Sequence, residues 1–431
     1  MDRDPTASLG ATPEAPPLPE PPVVPDPDDR VGRFVFVGAA GTVRTHGVRA
    51  RVEPEAGEPV TDAAARTLAA AGPGSLLVGA VGFDAGTGVP GGDVLGDRVL
   101  GAVPPALVVP DRRTWEPRPE VPETGTAAPP TDLPPTAPAG RGTRWDVRTE
   151  PTPAGYATAV RRAVTMIDQG LVEKVVLSRS LGVTAPEPID VDEVLDRLAA
   201  RDPEAYVFAA DVTRPVGPGE TPVPSVLLGA SPELLLARRG ATVVSNPLAG
   251  TVPRSPDPDE DARRAAELAG SAKDLHEHAL VVEQVAERLA PFCRRLHVPE
   301  GPELSSNRAL WHLSTRIEGE LRDDAPGALA MAIALHPTAA ICGAPTDVAR
   351  AAIAGLEEVP RGYYTGLVGW CDDAGDGEWA VTIRCAEVSG RRARLHAGAG
   401  VVSGSRPEAE VAETMAKFRP LLAALGLEAA P

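Results

Sequence analysis

Two hydrophobic periods run through the chain, and they exchange places along it. From Arg33 onward FVFVG, then GTVRTHGVRARVE, alternate as two strands joined by a turn do. GSLLVGAVGF at 74–83 reads as a further buried strand. From Trp145 the chain is continuously patterned. Residues 153–170 repeat at helical spacing, with Tyr156, Val160, Val164 and Ile167 on one side and Gly170 as a C-cap candidate. VEKVVLSRSLGV predicts a strand, as do YVFAADV, SVLLGAS, ELLLARRG and ATVVSNP. The spacing predicts the longest helix over 260–290, with Leu268, Ala272, Leu275, Ala279, Val282 and Leu289 as its apolar stripe and Pro291 ending it. TGLVGWCD, EWAVTIRCAEVS and RARLHAGAGVVS are strands again, with hairpin turns at DDAGDGE and SGRR, and a last helix covers about 407–424. Strands that arrive in runs predict an α+β fold with largely antiparallel sheets rather than a regular βαβ repeat. No internal repeat is visible.

Composition alters this picture in three places. Pro concentrates in residues 1–30, expected to be a disordered tail, and in 116–140, expected to be a long loop. Aromatics make up only 3%, so the core is expected to rest on Val, Leu, Ile and Ala. The net charge of −18, with no basic stretch, argues against a nucleic-acid partner. An anionic substrate would need local positive groups against that field. The cysteines Cys293, Cys342, Cys371 and Cys385 form no CxxC pair, and no His cluster stands at zinc-finger spacing. Residues 1–30 lack the pattern of a signal peptide, and no apolar run reaches membrane-spanning length. The expectation is a reduced, cytoplasmic protein without a membrane segment.

Four groups of residues carry candidate chemistry, and each alone has a plain structural explanation. Lys174 opens the apolar strand EKVVLSR; it is either a solvated edge charge or, with its stem buried in a cleft, a base. Glu233 in GASPELLL is either a charge at a strand start or a desolvated carboxyl able to act as a general acid. Glu277 lies on the long helix, and Glu410, Glu413 and Lys417 share one face of the last helix. These acids are either solvated helix faces or ligands converging on a hard cation such as magnesium. Arg384 alternates with apolar residues, sharing a face with Thr382 and Ala386, and Gly398 and Gly400 in HAGAGVV permit close backbone approach. Arginine grips carboxylates and free backbone N–H groups cradle oxyanions, although GxG alone is common in strand turns.

Taken in order, EKVVLSR, GASPELLL, NPLAGTVPR, SAKDLHEHALV, LWHLSTRIEG, LHPTAAICGAP, YYTGLVGWCD, GEWAVTIRCAEV and HAGAGVVSGSRPEAEVAETMAKF resemble the chorismate-utilising enzymes. That family includes isochorismate, salicylate, anthranilate and aminodeoxychorismate synthases. The resemblance is strongest over 145–425, reaches back weakly to about 33, and implies one domain over 31–428. It implies two large, mostly antiparallel sheets stacked together, helices outside, and an active site in a cleft. It also implies roles. Lys174 would activate water and Glu233 would protonate the departing C4 hydroxyl. Glu277 and Glu413 would hold Mg2+, with Glu410 helping through water. Arg384 and the backbone of Gly398, Ala399 and Gly400 would grip a carboxylate. Gly250, His312, Thr338, Ala340, Ile341, Tyr364 and Lys417 would line the site.

Within the family, the lysine points to water rather than ammonia as nucleophile, so no glutaminase subunit is expected. HPTAAICGAP, with small, apolar Ala340 and Ile341, leans to the isochorismate synthases. Salicylate synthase, which adds pyruvate elimination, is the alternative; an aminating relative and a non-catalytic binding relative rank below it. The expected partner is chorismate alone, with downstream isochorismate-using enzymes beyond it, and the expected state is a monomer. TRPVGPGETPVP, around 213–224, reads as a surface insertion. A siderophore or menaquinone role is left open, with a lean to the former.

Overall fold

The structure is a computed structural model that describes residues 32–84, 103–117, 145–214 and 222–427. The Pro-rich tail and the middle of the 213–224 insertion lie outside the described residues, as does the 116–140 stretch except for Glu116 and Pro117, which end a strand.

Two large antiparallel sheets carry the fold. The first has ten strands. Its path runs from Gly343–Ala344 through Lys174–Thr184, Arg392–Val401, Cys385–Ser389, Val226–Ser231, Tyr206–Asp211, Phe34–Val37 and Gly41–His46 to Arg112–Pro117, and Asp146–Glu150 also pairs with Lys174–Thr184. The second has nine strands, from Cys293–His297 through Ile317–Leu321, Thr242–Asn246, Leu234–Arg239, Gly377–Val381, Leu367–Asp372, Leu76–Val81 and Ala106–Val109 to Ala50–Arg51. A small three-stranded sheet, Leu248–Pro253, Leu310–Ser314 and Glu303–Ser306, was not anticipated.

Side chains alternate across each strand, and the two faces therefore separate into two cores. Phe34, Phe36, Phe208 and Leu227 of the first sheet meet Leu76, Val78, Val368 and Trp370 of the second. Tyr363 and Tyr364 join them, so aromatic rings mix here with the Val, Leu and Ala on which the core as a whole rests, as expected. The alternate residues Val35, Val207, Ala209 and Leu228 face outward and pack against the helices Val191–Arg201 and Pro407–Ala424. Leu77, Val81, Leu107 and Val109 do the same for the second sheet against Val60–Ala71, Ala272–Leu289 and Ala328–Leu335. Among the described residues no helix is long and apolar enough to cross a membrane.

Two expectations are corrected. The helix predicted over 260–290 is two, Pro258–Gly270 and Ala272–Leu289. Ser271 stands between them with extended backbone (ψ 107°), and its hydroxyl accepts from the Asp274 N–H at 3.2 Å. A short hydroxyl offers the backbone this alternative to continuing the helix. The second helix buries His278, Val281, Val285 and Leu289, while Ala272 is exposed, so the apolar stripe is rotated from the one predicted. The segment EWAVTIRCAEVS is likewise two strands, in different sheets. Gly377–Val381 belongs to the second sheet and Cys385–Ser389 to the first, so Thr382, Ile383 and Arg384 form a crossing. Pro232 and Glu233 form the other crossing, between Val226–Ser231 and Leu234–Arg239. The two crossings are stitched together: Val381 N donates to Glu233 O at 3.1 Å and Ala230 N to Arg384 O at 3.2 Å.

Candidate active site at the seam between the sheets

A cavity opens at this seam. Glu233 and Arg384 reach it from the two crossings, and Val176, Gly398 and Gly400 from neighbouring strands of the first sheet. Gly250 and His312 come from the small sheet, Ala340 and Ile341 from the turn after Ala328–Leu335, and Glu277, Glu413 and Lys417 from the two long helices. Arg384 is not the strand residue expected: its φ of 51° is held where the chain changes sheets. A non-glycine residue keeps such a conformation when its surroundings over-determine it.

The strand Arg392–Val401 has one open edge here. Its pairing with Cys385–Ser389 ends at Leu395, whereas its pairing with Lys174–Thr184 continues to Val401. The Gly398 carbonyl accepts from Lys417 Nζ at 2.9 Å. N–H and C=O of one strand residue point the same way, so the Gly398 amide also turns from the Lys174–Thr184 strand toward the cavity side. At Gly400 a Cβ would stand 2.3 Å from Glu277 Oε1 and 3.1 Å from Lys174 Cε, so glycine is what lets these two groups approach the cavity wall.

Lys174 is wholly buried, with Nζ 2.9 Å from Glu277 Oε1. Burial works against the charged form of Glu277, but Lys174, by charge and hydrogen bond, holds the carboxyl below its ordinary range. Glu233 is different. Burial pushes its carboxyl up to about 7, against the opposing pull of the Leu248 backbone and of Lys174, Arg384 and Lys417. Its Oε1 has no hydrogen-bond partner among the described residues. Burial pushes Glu410 up to about 7 as well, with the Glu413 charge adding to it, and Lys273 and Ser405 oppose the rise. Burial holds the His312 imidazole well below its usual range, and Arg384 and Lys417 add to this. Its Nδ1 is 2.9 Å from Thr251 Oγ1, and its Nε2 lacks a partner among the described residues.

A family model described as chorismate binding enzyme matches residues 133–426. The isochorismate synthase DhbC of Bacillus subtilis is 56% identical over 287 residues, which cover 67% of this chain and 71% of that protein. The isochorismate synthase EntC of Escherichia coli K12 is 42% identical over 277 residues, covering 64% and 68%. The chain belongs to the chorismate-binding enzyme family. Among solved structures, a putative 2,3-dihydroxybenzoate-specific isochorismate synthase, DhbC, from Bacillus anthracis superposes with a TM-score of 0.78 at 39% identity, over 92% of this chain and 97% of the other. An anthranilate synthase component I from Streptococcus pneumoniae, at 20% identity and a TM-score of 0.65, shares the fold.

In this chorismate-binding enzyme the cavity collects all the expected site residues except Lys174, Thr338, Ala399 and Glu410. Lys174 shares a strand face with Val176 and lies behind Gly400 and Glu277. Ala399 turns its side chain to the face opposite to Gly398 and Gly400 by strand alternation and does not line the cavity. Thr338 is buried; its carbonyl accepts from Ile341 and Cys342 and shapes the turn that carries Ala340 and Ile341. Glu410 is 2% exposed and lies behind the cavity, 3.8 Å from Lys273 Nζ. Sequence reasoning missed Thr251, Lys273, Asp274, Thr365 and His396, all cavity residues. Thr251 and His396 sit on strands whose cavity-facing side only the tertiary pairing reveals. Lys273 and Asp274 follow Ser271, where the helix restart was itself not foreseen.

The donor set fits a hard divalent cation. Glu277 and Glu413 both line the cavity, and both offer only oxygen. Among the described residues no three Asp, Glu, His or Cys side chains form a closed set able to hold a metal by themselves. A cation here would complete its shell with water and ligand oxygens, which is how magnesium is commonly bound.

Proposed function

We propose that this chain is an isochorismate synthase, adding water at C2 of chorismate and expelling the C4 hydroxyl. The observation that carries the reading is a buried glutamate on the cavity wall, held up to about 7, with a buried lysine just behind the wall at Gly400. Chorismate is a dianion, and Arg384 and Lys417 supply positive charge inside an acidic protein. Bidentate contact from Arg384 and the open amide edge at Gly398 suit a carboxylate. In this reading Lys174, once it has given up its own proton, takes one from water that approaches by way of Gly400 to attack C2, and Glu233 gives a proton to the departing C4 hydroxyl. His312, neutral at working pH, orients the ligand by hydrogen bonding without adding charge. Magnesium held at Glu277 and Glu413, with Glu410 behind them, would screen the carboxylates and stabilise charge developing beside them.

Purified protein given chorismate and magnesium should produce isochorismate, followed by chromatography, while a lactate dehydrogenase assay watches for pyruvate. Steady pyruvate release at a rate matching isochorismate formation would make the protein a salicylate synthase, and absence of both products would remove the reading.

A further inference from the structure

Arg179 lies on the strand Lys174–Thr184, on the face opposite to Lys174, and is 3% exposed. Among the described residues no carboxylate stands within ion-pair distance of it. Burying a guanidinium without a counter-ion is costly, and an apolar side chain would fill the same space at lower cost. The donors show what the cost secures. Arg179 Nε donates to Thr414 Oγ1 at 2.8 Å, and one terminal nitrogen approaches the Val411 carbonyl at 3.4 Å. Thr414 Oγ1 in turn donates to the Val411 carbonyl at 2.8 Å. The guanidinium lies between the rings of Tyr156 and Phe418, at 5.9 and 5.5 Å from their centroids. The Tyr156 hydroxyl donates back to Leu177 O at 2.9 Å, on the same strand.

Val411 and Thr414 belong to the turn of the last helix that carries Glu410 and Glu413. That helix starts at Pro407 with no side-chain cap on its first turn, and Lys417, a turn beyond Thr414, ties it to the neighbouring strand through the Gly398 carbonyl at 2.9 Å; Arg179 grips the turn between. We propose that Arg179 is a positioning residue for the metal-binding carboxylates: it fixes the rotation of this helix turn against the strand that carries Lys174, and so sets Glu413 opposite Glu277. This rests on the proposed magnesium site. Groups that orient ligands from behind in this way typically change metal affinity by roughly ten- to a hundredfold when removed.

The test is magnesium binding by titration calorimetry and by the rise in melting temperature on adding magnesium, in wild type, Arg179→Met, Arg179→Lys and Thr414→Val. Arg179→Met should weaken magnesium roughly ten- to a hundredfold. Thr414→Val should weaken it in the same direction, and Arg179→Lys should recover part of the loss. Chorismate KM measured at saturating magnesium should stay near the wild-type value, because a merely loosened fold would raise both constants together. Thr414→Val keeps the side-chain outline and carries the test if Arg179→Met does not fold. Folded variants that bind magnesium as wild type does would overturn the proposal alone. A wild-type protein that binds no magnesium would remove the metal reading and this proposal with it.

Discussion

Burial holds the Glu233 carboxyl up to about 7, so it keeps a proton through much of the neutral range where an ordinary glutamate has lost it. A general acid must be protonated to act, so kcat/KM should fall as pH rises through about 7. Glu233→Gln retains size and hydrogen bonding but cannot give a carboxyl proton. It should lower turnover about a hundredfold or more, and the alkaline fall assigned to Glu233 should disappear. Lys174→Ala should cost a similar factor, with chorismate KM little changed, since neither side chain is assigned to gripping a carboxylate. The double variant should be scarcely worse than either single one, because both groups act on one transition state. Near-normal turnover in Lys174→Ala would remove water activation from this residue, and with it the main reason for preferring hydration over amination.

The site is made where elements end or change sheet, and this is where sequence patterning says least. Continuous apolar runs located strands such as Phe34–Val37 and Leu76–Val81, and alternation located Gly41–His46, but the patterning gave no sign of Ala106–Val109, Arg112–Pro117, Asp146–Glu150, Cys293–His297, Ile317–Leu321, Gly343–Ala344 or the small three-stranded sheet. It could not show that EWAVTIRCAEVS changes sheet at Thr382–Arg384, since apolar residues continue through the crossing and the φ of 51° at Arg384 leaves no mark in composition. The break at Ser271 was hidden for a similar reason: helical spacing of apolar residues persists on both sides of it. The residues proposed as acid, base and anion grip stood out only through the ordered motifs, because a lone lysine or glutamate on a strand has no periodicity to betray it. Gly400 shows what element packing adds. An alanine Cβ there would meet Glu277 Oε1 at 2.3 Å, the free end of a side chain rather than backbone. The fold should therefore survive Gly400→Ala by pushing Glu277 away from Lys174. Turnover should drop about a hundredfold, the cost of misplacing a catalytic group by around an ångström. A melting temperature near wild type with lost activity is the expected pair of results; full activity would show that Glu277 and Lys174 need not approach through this gap.

Across the whole molecule, the site concentrates buried acid in a protein that already carries a net charge of −18. Lys174, Lys417 and Lys273 stand beside Glu277, Glu413 and Glu410 respectively, yet burial and the Glu413 charge still push Glu410 up to about 7. A carboxyl whose folded-state value is raised above its unfolded one disfavours the fold once the unfolded chain can ionise. The sign is therefore fixed: in chelator, the cost from Glu410 is absent below about pH 4.5, grows as pH rises, and is complete above about 7. Glu410→Gln should consequently raise the melting temperature of the metal-free protein at pH 8 and change it little at pH 4 to 5. Magnesium should work in the same direction in the wild type, because a ligand that binds only the folded state stabilises it by about 2.7 kcal/mol at a hundred times its Kd. EDTA should abolish activity and excess magnesium restore it, with the melting temperature rising in parallel. In Glu413→Gln, which loses a carboxylate of the cavity wall, most of that magnesium-dependent rise should be missing. Equal magnesium stabilisation of Glu413→Gln and wild type would place the cation elsewhere. A metal-free melting temperature that Glu410→Gln leaves unchanged at pH 8 would show that this acid carries no buried charge to be relieved.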